Sequence, residues 1–299
     1  MSRWASVGVV IPTHDRPGPL RAALDAVLGQ DYPGQLRVIV VYDRAETVLK
    51  PNDSMAVLVN DRTPGLAGAR NTGIVKLDID LVAFCDDDVW QPGKLRKQVW
   101  ALRARPGTEF ASCGIEVDYD GTVHPRLAGR DEVTHADLLR SRMVMVHSST
   151  YLARRDALTD SIGLVDETIP GSQNEDWDLA LRAARRHTIV HVDEPLVRVA
   201  WHASSHYAQQ WQTRADSLLW MLAHHPELAG SRPGAARVYG QLSFAYACLR
   251  RRGDACRWAW RAVRGNWHER RVPFALAVAS GLVSGETVLR HLNARGHGI

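Results

Sequence analysis

Two continuous apolar runs, Val7-Gly8-Val9-Val10-Ile11 and Val38-Ile39-Val40-Val41-Tyr42, are separated by a segment with a one-sided helical pattern, and this arrangement constrains the fold most. Strands buried on both faces read as unbroken apolar runs, whereas half-exposed strands alternate. Between the runs, Leu20, Ala23, Leu24, Val27 and Leu28 recur at i, i+3, i+4, i+7 and i+8, one face of an amphipathic helix. Pro17 and Pro19 stand at its start, where a missing N–H costs little. A strand, helix and strand in this order imply a parallel sheet and an α/β layer architecture. The pattern continues with a strand from Met55 to Val59, the turn Thr63-Pro64-Gly65, a helix from Leu66 to Leu77 and a strand from Leu81 to Cys85. Open sheets of this kind bind ligands outside the carboxyl ends of their strands. Pro12, Asp43 and the triplet Asp86-Asp87-Asp88 are therefore expected to face one crevice.

Three adjacent carboxylates repel one another unless something holds them ionised. A hard divalent cation such as Mg²⁺ or Mn²⁺ takes oxygen ligands and would do so. A solvated acidic turn explains the same residues without a metal, because Asp is common where strands end.

Beyond the fourth strand the pattern predicts strands at Ala111 to Val117, Met143 to Leu152, Thr188 to Val192 and Leu196 to Trp201, with a helix from Asp176 to His187. After Trp211 it is helical throughout. Leu218, Leu219 and Leu222 open it; Val238, Leu242, Ala245, Tyr246 and Leu249 form one stripe; Cys256, Trp260 and Val263 form another; Pro273 to Val283 closes it. These helices resemble tetratricopeptide hairpins but lack a clean repeat. Residues 213–299 carry 13 Arg and no Lys against 5 acids, a charge of +8 within a chain of net +4. That shift marks an expected boundary between a domain at 1–212 and a basic α-helical extension at 213–299. Cys85, Cys113, Cys248 and Cys256 show no CxxC spacing, so neither a zinc site nor a disulfide framework is expected. No apolar stretch approaches the roughly 20 residues that span a bilayer, and no signal segment is expected at the start of the chain. The expected location is the cytoplasm, with contact at the inner membrane face as an option.

Taken together in order, Val10-Ile11-Pro12-Thr13-His14-Asp15-Arg16, Asp43, the stretch from Gly65 to Gly73, Asp86-Asp87-Asp88, and Glu175-Asp176-Trp177 followed by Arg182 resemble the motifs of family 2 glycosyltransferases. The resemblance spans residues 7 to about 205. It implies the GT-A fold, a Rossmann-like, mostly parallel sheet, and an inverting transfer of sugar from a nucleotide-diphosphate donor, UDP in first place. Pro12, Thr13, Arg16 and Asp43 are expected at the nucleoside, the Asp43 carboxylate accepting from a pyrimidine N–H. Arg70, Asp86 and Asp87 are expected near the donor. Mn²⁺ or Mg²⁺ would bridge the diphosphate from among Asp86, Asp87 and Asp88, and either a first-and-third pair or Asp87 could lead. His202 is a further metal or diphosphate contact implied by the resemblance. Asp176 is implied as general base, with Glu175 and Trp177 shaping the acceptor pocket. Acids in a first helical turn are also favoured by the helix dipole alone.

The stretch from Gly65 to Gly73 would leave backbone N–H groups available to an anion, although glycines also permit close helix packing. Arg250-Arg251-Arg252, Arg257, Arg261, Arg264, Arg270 and Arg271 interleave with Trp258, Trp260 and Trp267. A solvated or subunit-contact face comes first for this region and a peripheral membrane contact second; nucleic acid is not expected as a partner. The acceptor is left open among a carbohydrate, a lipid-linked glycan and a small molecule. Two other functions fit the motifs less well: a non-catalytic GT-A binding or scaffold protein, and a nucleotidyltransferase, in which Glu175-Asp176 would have no task.

Overall fold

The structure, a computed structural model, describes residues 4–119, 121–201 and 210–293. The amino-terminal half runs β1 (Val7–Thr13), α1 (Pro17–Leu28), β2 (Leu36–Tyr42), β3 (Met55–Val59), α2 (Leu66–Lys76), β4 (Leu81–Phe84), β5 (Val89–Trp90) and α3 (Lys94–Arg103). It continues with β6 (Phe110–Tyr119), β7 (Thr122–Arg126), β8 (Glu132–Val133), α4 (His135–Arg140), β9 (Leu152–Arg154), α5 (Glu175–Arg186) and β10 (Ile189–Trp201). The carboxyl-terminal helices are α6 (Trp211–His224), α7 (Glu227–Gly230), α8 (Arg232–Cys248), α9 (Arg252–Gly265), α10 (Arg271–Ser280) and α11 (Gly285–Asn293).

All but two strands lie along the order β3-β2-β1-β4-β9-β6-β10-β5; β7 pairs with β6 and β8 with β10. β3, β2, β1 and β4 are mutually parallel, as their unbroken apolar runs require, and every residue of β1 is buried. The chain order reverses about β1, whose neighbours are β2 and β4. The carboxyl ends of β1, β2 and β4 therefore open onto one crevice, the expected ligand position. β9 then enters antiparallel between β4 and β6.

Side chains alternate along each central strand between two cores. Val9, Ile11, Val38 and Val40 pack beneath α1 and α3. Val10, Ile39 and Val41 face the other way, toward α2 and α5, and the same core takes in Leu218 and Met221 of α6 and Val238, Leu242 and Ala245 of α8. α6 and α8 thus continue the second core, while the carboxyl-terminal helices close two small clusters of their own, Phe244, Ala275 and Val288 in one and Ala259, Ala262 and Val272 in the other.

Three expectations need correction here. Met143 to Leu152 is not a strand. Met143 has φ 50°, Val146 N–H donates to its carbonyl at 2.7 Å, and Thr150 Oγ1 donates to the His147 carbonyl at 2.6 Å, so local bonds displace a ladder. A 3₁₀ turn at Ser148–Thr150 follows, and pairing starts only at Leu152. The strands at Thr188–Val192 and Leu196–Trp201 are one strand, β10, whose register on β6 shifts on either side of Pro195. The stripe Cys256, Trp260 and Val263 faces outward: Trp260 is 64% exposed, while Ala255, Ala259 and Ala262 form the buried face of α9. Alanines let α9 approach α8 more closely than the larger side chains would.

Candidate active site

The turn entering α2 is built first. Gly65 has φ 124°, a conformation suited to glycine. At Gly68 a Cβ would lie 1.9 Å from the Thr63 carbonyl oxygen, so this glycine is required by packing. Two of the backbone N–H groups at this helix start are engaged within the protein: Gly65 N–H donates to Asp43 Oδ2 at 3.0 Å and Ala67 N–H to Ser172 Oγ at 3.3 Å. The Asp43 carboxylate thus sits at this helix start as an anion of the protein's own. Asp43 is buried and accepts from Asn60 Nδ2 at 2.8 Å through its other oxygen. Burial works to raise its pKa, but the bonds from Asn60, Gly65 and Arg44 prevail and hold it below the usual carboxylate range. Pro12 and Thr13 close β1 beside it, and Asp43 N–H donates to the Thr13 carbonyl at 2.9 Å.

Glu167 braces the same turn. It accepts from Arg62 Nε at 2.5 Å, from Thr63 N–H at 3.1 Å and from Asn71 Nδ2 at 2.7 Å. Burial opposes the charge, yet these donors pull its carboxyl down to about 2.

Arg70 was expected near the donor, but its side chain is only 1% exposed and lies between two carboxylates. Nη2 donates to both oxygens of Asp86, at 2.7 and 2.9 Å, and Nη1 pairs with Glu175 Oε1. Burial alone would depress this guanidinium, but the charges of Asp86 and Glu175 raise its pKa above the usual range. A fully buried cation needs such partners. Arg70 thereby ties the end of β4 to the start of α5.

The three aspartates separate. Asp87 turns outward to pair with Arg16. Asp86 accepts from Ser148 Oγ at 2.7 Å besides Arg70, and its N–H donates to Ser149 Oγ at 3.0 Å. Asp88 Oδ2 accepts from Ser149 Oγ at 2.5 Å and lies 3.6 Å from His147 Nδ1. Ligand atoms of Asp86, Asp88 and His147 all lie within 4.8 Å of one another, the one such grouping among the described residues. Burial keeps opposite tendencies in the pair. Arg70, His147 and Ser148 overcome it and hold Asp86 low, whereas Asp88, pressed further by Asp86 and only partly relieved by His147, is pushed up to about 6. Two carboxylate oxygens and one imidazole suit a divalent cation of the Mn²⁺ or Mg²⁺ class, and the nitrogen favours Mn²⁺. His147 was not singled out as a ligand from sequence. The histidine implied there, His202, lies outside the described residues.

At the start of α5, Asp176 is 6% exposed, and Arg142 Nη2 donates to both of its carboxylate oxygens at 2.8 Å each. Trp177 N–H donates to Asp176 Oδ1 at 2.8 Å. Burial pushes the Asp176 pKa upward, but Arg142 and His147 outweigh it and keep this carboxyl below its ordinary value. Glu175 goes the other way: burial and the Asp176 charge raise it against the pull of Arg70. The adjacent pair thus divides into one carboxylate that ionises readily and one that resists ionisation. Trp177 does not line an open pocket. It is 2% exposed in the second core, with its indole N–H donated to the Leu138 carbonyl at 3.1 Å. An aromatic ring so placed packs beneath the start of α5. Arg142 gave no sequence signal, because it stands alone in a turn and meets Asp176 only in the fold.

The sequence profile of glycosyl transferase family 2 matches residues 8–161. The chain is 26% identical over 196 residues to the uncharacterized glycosyltransferase YwdF of Bacillus subtilis, covering 62% of this chain and 70% of that protein. It is 25% identical over 141 residues to WfgD of Escherichia coli, a UDP-Glc:alpha-D-GlcNAc-diphosphoundecaprenol beta-1,3-glucosyltransferase, covering 45% of this chain and 55% of WfgD. Among solved structures, S. aureus TarS 1–349 in complex with UDP-GlcNAc superposes with a TM-score of 0.62 at 16% identity, over 98% of this chain and 92% of that one. The mannosyltransferase PcManGT of Pyrobaculum calidifontis, in complex with GDP-Man and Mn²⁺, gives 0.57 at 18% identity, over 93% and 87%.

Proposed function

From the chain's membership of glycosyl transferase family 2, and with it a glycosyltransferase activity on a nucleotide-sugar donor, we propose an inverting, metal-assisted transfer in which Asp176 is the general base. One observation carries this reading: Arg70 joins the Asp86 side of the cation site to the Glu175-Asp176 pair, so leaving-group and base sides form one rigid network. The acceptor hydroxyl oxygen attacks the anomeric carbon, the bond from that carbon to the diphosphate oxygen breaks, and the hydroxyl proton passes to Asp176. A divalent cation held by Asp86, Asp88 and His147 would neutralise charge developing on the departing diphosphate. Arg142 keeps Asp176 ionised and oriented, and Glu175 fixes Arg70 against Asp86.

UDP is the preferred donor nucleotide in this reading. WfgD is named for UDP-Glc and TarS was solved with UDP-GlcNAc, while PcManGT was solved with GDP-Man. Asp43 retains a lone pair on Oδ1 beyond those used by Asn60, Gly65 and Arg44, enough to accept one pyrimidine N–H.

Asp176→Asn is expected to lower kcat by a factor of about 10² to 10⁴, the range of a lost general base, while the melting-temperature rise given by UDP with Mn²⁺ persists. Unchanged turnover removes Asp176 from the mechanism. A UDP shift that is equally large in EDTA removes the cation site.

A further inference from the structure

Ser149 touches every member of the Asp86, Asp88 and His147 grouping. Its Oγ accepts the Asp86 N–H at 3.0 Å and donates to Asp88 Oδ2 at 2.5 Å, while its own N–H donates to His147 Nδ1 at 3.3 Å. Asp86 and Asp88 follow β4, so far back along the chain that only the fold brings them to this serine. Ser149 is fully buried, and a hydroxyl that must accept from one group and donate to another has its rotor fixed by the pair. The bond to Asp88 is charge-assisted when that carboxylate is ionised, the stronger kind. The neighbouring Ser148 Oγ reaches Asp86 Oδ2 at 2.7 Å, so the whole 3₁₀ turn Ser148–Thr150 lies along the grouping.

That turn is held from behind by α3. Gln98 lies on the buried face of the helix beside Leu95, Val99 and Leu102. Its Nε2 donates to the Thr150 carbonyl at 2.7 Å, and its Oε1 has no partner among the described residues. A buried amide with one end unsatisfied is costly, so the bond to Thr150 is what this side chain supplies at its position. Thr150 is fully buried as well, and its Oγ1 donates to the His147 carbonyl at 2.6 Å. Fixing the Thr150 carbonyl therefore fixes the turn from His147 onward. A continuous chain of hydrogen bonds runs from α3 through Gln98 and Thr150 to Ser149, and from there to all three groups of the cation site.

We propose that Ser149 is the positioning residue of the cation site and that Gln98 acts through it by anchoring Thr150. The assignment rests on the reading of Asp86, Asp88 and His147 as that site. Ser149 acts on a cation through these groups and not as a ligand. Holding three ligating groups in place beforehand removes reordering that binding would otherwise require. The site is therefore preformed and takes Mn²⁺ without the nucleotide.

The test is titration of the full chain with Mn²⁺ alone, followed by electron paramagnetic resonance of the free ion. Wild type is expected to bind and Asp88→Asn to lose binding. Ser149→Ala is expected to weaken Mn²⁺ affinity by about 10- to 100-fold, the range for removing a group that orients a ligand. Ser149→Cys, which keeps the size and a weak donor, should fall between them. Gln98→Leu should give a smaller loss in the same direction, and adding it to Ser149→Ala should weaken binding no further. Circular dichroism melts establish that the variants fold; if Ser149→Ala does not, Ser149→Cys and Gln98→Leu carry the same comparison. Equal Mn²⁺ affinity in wild type and Ser149→Ala overturns the proposal, even where the variant melts earlier, because Ser149 would then be merely structural. Mn²⁺ binding by wild type only once UDP is present also overturns it, since the nucleotide would then assemble the site. Additive losses in the double variant overturn the route from Gln98 through Ser149. The cation-site reading fails separately, when Asp88→Asn binds Mn²⁺ as tightly as wild type. A loss in Asp88→Asn with none in Ser149→Ala leaves that reading standing and removes Ser149.

Discussion

Glu167 shows how one side chain can brace the turn that holds Asp43. Its carboxylate, 16% exposed, receives Arg62, Thr63 N–H and Asn71, and so fixes the turn whose Gly65 N–H holds Asp43. Its pKa falls to about 2 in the folded protein against an ordinary 4.5. A depressed carboxyl contributes stability that is complete above 4.5 and disappears as pH falls toward 2. Glu167→Gln is therefore expected to cost about 1–2 kcal/mol at pH 7, discounted for solvent screening, with the deficit closing as urea midpoints are followed down to pH 2.5. A deficit that stays constant across that range would show that hydrogen-bond geometry, not charge, sets the contribution. The aspartate triplet was visible in sequence because adjacent like charges are anomalous without a partner. His147, Arg142 and Glu167 were not: each lies far along the chain from the group it serves, and a lone residue in a turn carries no periodic signal. For the same reason a motif resemblance pointed to His202 while the fold brings His147 to the aspartates.

Elements whose burial coincides with their periodicity were legible: β1, α1, β2, β3, α2 and β4 lie where apolar runs and stripes put them. Periodicity failed where another force chose the conformation. Between Met143 and Leu152 it was side-chain capping by His147 and Thr150. On α9 it was the fit of small residues, which turned alanines inward and Trp260 outward. α2 combines both kinds of information, since its glycines looked like an anion-binding loop and prove to be contact points. Gly68→Ala tests this. The added methyl would meet the Thr63 carbonyl oxygen at 1.9 Å, a backbone atom that cannot swing aside. An overpacking cost of about 2–3 kcal/mol follows, read as a lower urea midpoint with unchanged slope. Because Thr63 moves with the Asn60–Gly65 turn, the same variant should bind UDP more weakly. A neutral effect on both readouts would show that α2 can slide along its axis and that the glycine is not required.

At the scale of the whole molecule, no described helix is long and apolar enough to cross a membrane, and α6 and α8 of the basic carboxyl-terminal part pack into the core behind the sheet. The charge shift near residue 212 predicts two domains, yet Leu218, Met221, Leu228, Val238, Leu242 and Ala245 share one core with Leu138, Trp177, Leu179 and Leu181. Charge composition reports on the outer surface, and an abrupt change there need not mark a break in the interior. Each fully buried aliphatic side chain is worth about 1.5–3 kcal/mol, so losing these contacts removes on the order of 10 kcal/mol, as much as the entire net stability of an ordinary domain. A chain ending at residue 212 is therefore expected to lack a cooperative thermal transition and to bind hydrophobic dye, whereas the full chain melts in a single step. The truncation would also uncover Trp177 and remove Arg237, which stacks on it, so the base side of the site would lose its support before the cation side did. A cooperative melt of residues 1–212 near the full-chain midpoint would instead make the helices an appendage that the sheet does not need for its stability.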